Sequence, residues 1–279
     1  MSNVVGSRTA RGRVLTAVGV VAVLAFTLFP VFVMLSTAVD ARANDGNRSL
    51  LPTQFTLANF AFVLDEGRFL TYLRNSLLVA LATVVISGLI ALFASVAVAR
   101  FKFRFRTSVL VMILIVQMVP LEALVIPLFV QAKSLNLLDN LFGLVVVYVA
   151  FSLPFAIWTL RGFVAAVPFE IEEAAYMDGA SWFQMFWRVL FPLVAPGLVA
   201  TSVFSFITAW NEFIFAITFM SDQDKYTVAA GLRRFFTQYG TNWGAVMAGS
   251  TLITVPVMLF FVAVQRKLSA GLVAGAVKG

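Results

Sequence analysis

This chain has no cysteine and no histidine. Disulfides, thiolate nucleophiles, imidazole bases and Cys/His zinc sites are thereby excluded. It also has no G-x-x-x-x-G-K-[ST] run, so it carries no P-loop of its own. No cofactor is expected on the chain, and no enzymatic activity of its own. Charge is scarce as well. Asp, Glu, Lys and Arg make up 12% of 279 residues, about half the share in a typical soluble domain. What fills the space is apolar: 61% of residues are hydrophobic and the mean hydropathy is +0.96. Such a chain has too little polar surface for a water-soluble globule, which makes it a polytopic membrane protein. The net charge of +7 does not point to nucleic acid, because the basic residues cluster at the ends of apolar runs.

Charge bounds six apolar segments. Val14 to Val39, Asn75 to Ala99, Asn140 to Leu160 and Phe235 to Gln265 contain no charged residue. Thr107 to Ala132 contains only Glu122, and Val189 to Ser221 only Glu212. A helix needs about 20 residues to cross the hydrocarbon core. All six are long enough, and continuous apolar runs argue for helices rather than a barrel. The expected fold is therefore all-α with six transmembrane helices. The first segment, 14–39, follows Arg8, Arg11 and Arg13, as a signal peptide would. Its apolar run is 26 residues, against about 7–15 for a signal h-region, so it reads as a retained span. The organisation expected is an N-terminus over 1–13, a first span over 14–39, an external segment over 40–74, a transmembrane core over 75–265 and a tail over 266–279.

Lys and Arg placement sets the orientation. With the N-terminus inside, 12 of the 20 basic residues fall in internal segments and 8 in external ones. The sharpest signal is the loop Arg100-Phe-Lys102-Phe-Arg104-Phe-Arg106, with four cations in seven residues. Both termini and the loop over 161–190 are then cytoplasmic. In the external segment, Thr56 is placed to cap a short helix through Leu57, Phe60, Val63 and Leu64. Pro120 and Pro127 fall in the third span, Pro154 in the fourth and Pro256 in the sixth, and each removes a helical donor.

The loop from Arg161 to Arg188 is unusual. It carries Glu170, Glu172, Glu173 and Asp178 on the face where cations normally dominate. Acidic residues have little effect on topology, so these serve another purpose. Pro168 suits a first helical turn, and Glu170, Glu172 and Glu173 suit the positive end of its dipole. Gly179 is able to end that helix with positive φ. Ser181 then offers an N-cap with Gln184 three residues on, a capping box. A second short helix is expected from Trp182 towards Leu190, limited by Pro192. Helix physics alone fits equally a partner-binding hairpin and an interfacial hairpin with no partner.

Glu173-Ala174-Ala175, then Asp178-Gly179-Ala180-Ser181, then Val189-Leu-Phe191-Pro192 resembles the coupling motif of binding-protein-dependent ABC permeases. Within that family the chain resembles the carbohydrate-uptake branch, in particular the six-span subunit type of the maltose permease. Phe191 replaces the usual leucine. Asn75-Ser76, Ala99-Arg100-Phe101, Pro120, Ile126-Pro127-Leu128-Phe129, Trp210-Asn211-Glu212-Phe213 and the tail from Ala274 to Gly279 agree in order. The resemblance covers about residues 50 to 279.

It implies a type I ABC importer permease fold and a role as half of a sugar translocation path in a prokaryotic plasma membrane. The implied partners are a second homologous permease subunit, two cytoplasmic ATPase subunits that bind ATP and Mg, an extracytoplasmic solute-binding protein and membrane lipid. The resemblance assigns ATPase coupling to Glu173, Ala174, Ala175, Asp178, Gly179, Ala180 and Ser181. It assigns an ATPase-contacting tail to Gly275, Ala276, Val277, Lys278 and Gly279.

Glu122 and Glu212 lie inside expected spans. An acid at mid-membrane costs about 2.5–3.5 kcal/mol on insertion scales, so each should face protein or water. Glu212 with Asn211 and Trp210 offers hydrogen bonds and a stacking ring, which suits a sugar path. It is equally able to bond a neighbouring helix. An ion-coupled secondary transporter using Glu122 and Glu212 is the alternative of another class.

Overall fold

The computed structural model describes residues 10–46, 49–65, 68–238 and 240–276. In chain order the helices are α1 (Ala10–Ala38), α2 (Ala58–Asp65), α3 (Phe69–Arg100), α4 (Arg106–Gln117), α5 (Val125–Ser134), α6 (Leu141–Ala166), α7 (Phe169–Met177), α8 (Trp182–Met185), α9 (Phe191–Asn211), α10 (Ile214–Phe219), α11 (Val228–Leu232) and α12 (Trp243–Ala276). The chain divides into two units, 1–67 with 234–252 and 68–233 with 253–279. Five helices are long and apolar enough to cross a membrane, or six if the pair α4 and 121–134 is one broken span.

In the first unit, α1 offers a long apolar run with none of its hydrophobic window buried. Its C-terminal end is tied down by polar contacts. Asp40 accepts from the backbone N–H groups of Arg42 and Gln54 and from the Thr53 hydroxyl. Asn59 donates to the carbonyls of Ala38 and Asp40. Thr56 Oγ1 accepts from Ala58 N at 3.0 Å and starts α2, the cap its position predicts. Of the expected apolar face, Val63 is buried while Leu57 stays exposed. The stretch expected to open the last span instead forms a turn of 3-10 helix and a two-stranded hairpin, β1 (Phe236–Thr237) with β2 (Gly240–Thr241). This is a small departure from an all-α chain. α12 begins only at Trp243, with Asn242 Oδ1 accepting from Ala245 N.

The second unit is built on α3, α6 and α9, which pack against one another. Small residues let them approach: a Cβ on Gly197 would lie 2.5 Å from the Phe163 ring. Asn140 caps α6 by accepting from Phe142 N. Pro154 lies inside α6 and Pro196 inside α9, and neither ends its helix.

Two expected spans are broken. The third bends by 95° between α4 and the segment beginning at Leu121, where Pro120, with ψ of 131°, leaves the helical region. The fifth was expected to run to Ser221, but α9 stops at Asn211. Glu212 takes extended backbone, and a separate six-residue α10 follows.

Candidate functional site: the α7–α8 hairpin

The loop between α6 and α9 folds as two helical arms around one glycine. α7 follows Pro168, whose extended ψ of 137° sets the entry angle. Gly179 takes φ +82°, a conformation in which a β-carbon is strained. Its amide donates to the Tyr176 carbonyl, and that of Ala180 to Ala175, closing the last turn. Ser181 accepts from Gln184 N while Gln184 Oε1 accepts from Ser181 N. The positive-φ turn and the capping box stand where the sequence put them.

The second arm differs from expectation. Pro192 does not limit it: α8 runs through a π-helical turn over Phe186–Leu190 directly into α9, giving one helical stretch from Trp182 to Asn211. Pro192 lies in the first turn of α9. There the wider turn tolerates the missing donor and the ring.

The arms are held differently. Met185, Phe186 and Leu190 of the second arm are buried with Leu92 and Val96 of α3 and with Val164, Val167 and Val194. Phe186 stacks on Trp182 at 5.3 Å. α7 has one buried residue, Glu172. Phe169 is 52% exposed, Ile171 40% and Met177 88%. Glu173, Ala174, Asp178 and Gly179 are also exposed, while Ala175 and Ala180 are half-buried. Glu172 Oε1 accepts from Arg100 Nε at 2.6 Å. Arg100 Nη2 also donates to the Val167 carbonyl at 2.8 Å. Desolvation, with the nearby Glu172 carboxylate, raises the pKa of the Tyr176 phenol above its ordinary value. Sequence reasoning missed this grip, reading Arg100 as one of four cations that set topology. The two residues lie 72 apart, and nothing local pairs them.

Glu212 is buried. Its carboxylate accepts from the Tyr148 hydroxyl at 2.5 Å and from the amides of Phe215 and Ala216 at 2.9 and 3.2 Å. It joins α6 to the start of α10. Trp210 is also buried, stacked on Phe206 at 5.4 Å. Its indole N–H has no acceptor among the described residues. Asn211 is exposed and donates back to the Ile207 carbonyl. Glu122 is exposed, in the 3-10 turn after the 95° bend. The structure thus does not gather Trp210, Asn211 and Glu212 onto one face. Of the tail residues, Gly275 and Ala276 end α12, and Val277, Lys278 and Gly279 lie outside the described residues.

The α7–α8 hairpin thus lies between two helices long and apolar enough to cross a membrane, and its first arm leaves Phe169, Ile171 and Met177 exposed. Residues 88–273 match the family described as binding-protein-dependent transport system inner membrane component. The chain is 42% identical over 274 residues to a diacetylchitobiose uptake system permease protein of Streptomyces coelicolor, covering 98% of this chain and 99% of that one. It is 34% identical over 259 residues to a trehalose transport system permease protein of Mycobacterium tuberculosis, covering 92% and 94%. Among solved structures, a bacterial ABC transporter involved in the import of the acidic polysaccharide alginate superimposes with a TM-score of 0.79 at 22% identity, over 95% of this chain and 99% of that one.

The chain belongs to the family of binding-protein-dependent transport system inner membrane components. It is a multi-pass, non-catalytic permease subunit of an ABC importer, with the type I permease fold. Permeases of this class work with ATPase subunits and binding proteins. The ion-coupled alternative is not favoured.

Proposed function

We propose that this chain is the permease subunit of an ATP-driven importer of a sugar or oligosaccharide. It would form half of the translocation path beside a second, homologous permease subunit. The α7–α8 hairpin, with Glu173, Ala174, Ala175, Asp178, Gly179, Ala180 and Ser181, couples it to the ATPases. The observation that carries this reading is that α7 buries only a carboxylate and keeps Phe169, Ile171 and Met177 exposed. An arm that exposes apolar side chains beside Glu170 and Glu173 suits a cleft on a partner protein. The relatives' names, which cite diacetylchitobiose and trehalose, support a carbohydrate cargo.

The hairpin and both termini lie on the cytoplasmic side, and the cations at Arg100, Lys102, Arg104 and Arg106 support that orientation. The tail residues Gly275, Ala276, Val277, Lys278 and Gly279 contact the ATPases. The backbone breaks at 118–121 and 212–213 border the path, since irregular backbone at membrane depth is tolerated where it is buried in protein or lines a cavity. Glu122 and Asn211 face that path, while Glu212 and Trp210 shape it from behind.

A photocrosslinker at position 177 tests the coupling role in cells that are taking up sugar. The expected product joins this chain to a P-loop ATPase, in a yield that changes with nucleotide. Crosslinks that capture no ATPase during active uptake would overturn the role. A panel of radiolabelled mono- and oligosaccharides tests the cargo. Uptake of a non-carbohydrate solute alone would refute that part.

A further inference from the structure

α7 has an uncommon attachment. A short helix on a membrane protein is ordinarily held by an apolar stripe. Here Ala175 packs half-buried against the apolar cluster of the second arm, while the buried residue is Glu172, whose partner is Arg100, the last residue of α3. The guanidinium has two jobs. Its Nε grips the carboxylate and its Nη2 grips the Val167 carbonyl, at the end of α6. One side chain therefore ties α3, the end of α6 and α7 together. The pair is largely dry, with side-chain exposures of 13% and 4%.

The second arm is held by the non-directional burial of Met185, Phe186 and Leu190. Apolar contacts permit sliding, because burial is indifferent to direction. A guanidinium fork does not, because its donors fix both distance and angle. Among the described contacts, then, force applied to α7 has a stiff route into α3, one of the three helices of the membrane core.

We propose that Arg100 is a positioning residue that carries displacement of α7 into α3 through Glu172, and so links ATPase movement to movement of the path. This rests on the coupling role proposed above. Glu172 precedes the motif glutamate and points inward, while Glu173 is exposed. The two adjacent acids divide the work: Glu173 is free to meet the partner, and Glu172 is spent on the chain's own framework.

The test uses the complete transporter, reconstituted in vesicles with its binding protein, and reads solute moved per ATP hydrolysed. Glu172→Gln keeps shape and removes the charge. Arg100→Gln removes the fork. Both are expected to assemble and hydrolyse ATP, with the ratio falling about tenfold, within the usual range of site-to-site coupling. The exchange Arg100→Glu with Glu172→Arg should recover part of it. A purely structural pair would lower complex yield and leave the ratio alone. If Arg100→Gln fails to accumulate, Glu172→Gln decides the matter. An unchanged ratio in an assembled variant overturns the proposal. The crosslink from position 177 separates the two claims: an ATPase crosslink with an unchanged ratio sinks only the Arg100 link, and a missing crosslink sinks the coupling role itself.

Discussion

Among the described residues of the second unit, two carboxylates are buried, Glu172 and Glu212, and they are satisfied in opposite ways. Glu172 meets a guanidinium from another helix. Glu212 meets a tyrosine hydroxyl and two backbone amides at the start of α10. The first arrangement joins two separate helices through a directional ion pair, α3 through Arg100 and α7 through Glu172. The second closes a helix end, an ordinary demand of backbone chemistry, since the first amides of any helix lack partners. Burial of an acid in a membrane protein is therefore no guide to its role until its donors are known.

The sharpest way to break this contrast is to damage each region and ask whether function or folding fails first. Gly179→Asp should remove transport while leaving the protein in the membrane at near-normal level. A Cβ at Gly179 would meet no heavy atom within 4 Å, so the fold bears only the backbone strain of a positive φ, about 1–2 kcal/mol. The loss comes from bulk and charge presented to the partner. Gly179→Ala, with similar strain and no charge, should keep more transport. Normal uptake by the Asp variant would count against the hairpin's coupling role.

Glu212→Ala should do the reverse. It strands the Tyr148 hydroxyl and two amides in a buried site, at about 1–3 kcal/mol for each group left unsatisfied. The expected result is a low yield of folded protein and a lower unfolding temperature in detergent. Glu212→Gln keeps an acceptor for the amides and should fold. It then tests the path: unchanged uptake and affinity would remove Glu212 from any contact with substrate.

These two sites also mark what a sequence can and cannot disclose. The hairpin turn was legible because its signals are local: Gly179 for positive φ, and Ser181 with Gln184 for the cap. Thr56 capping α2 was legible for the same reason. The Arg100–Glu172 pair was not, because it spans 72 residues and each member already had a local explanation. The breaks inside the fifth and third spans were missed because hydropathy registers apolar length, not backbone direction. A run from Val189 to Ser221 looks continuous on that scale, although Glu212 turns out of the helix within it. Pro120 announced a disturbance but not a bend of 95°, since proline removes one hydrogen bond and packing sets the angle. Pro192 misled in the opposite sense, because a π turn absorbs it.

A third carboxylate extends the comparison outside the spans. Asp139 accepts from the amides of Asp222 and Ser221 at 2.9 and 2.8 Å, clipping the segment before α6 to the one after α10. The Asp222 amide is the main cause that holds its pKa below the usual value; burial opposes this, and the Ser221 amide and Lys225 assist. A depressed folded pKa means the clip contributes fully above the unfolded value, about 3.9, and is lost as pH falls through the lower folded value. Detergent-solubilised wild type should therefore lose more thermal stability on acidification than Asp139→Asn. Equal losses would show that the clip adds nothing to stability.

The smallest effect belongs to the next residue. Asn140 performs a similar service without charge, its Oδ1 accepting from Phe142 N at 2.9 Å to start α6. Asn140→Ala should cost about 1 kcal/mol, the usual value of an N-cap, and the cost should not vary with pH. That pairing isolates the charge. If Asn140→Ala and Asp139→Asn differ only in their response to acid, the carboxylate at 139 acts as a backbone acceptor whose charge is incidental to transport. If Asp139→Asn instead lowers uptake with stability unchanged, the division drawn between gripping acids and capping acids fails at its weakest member.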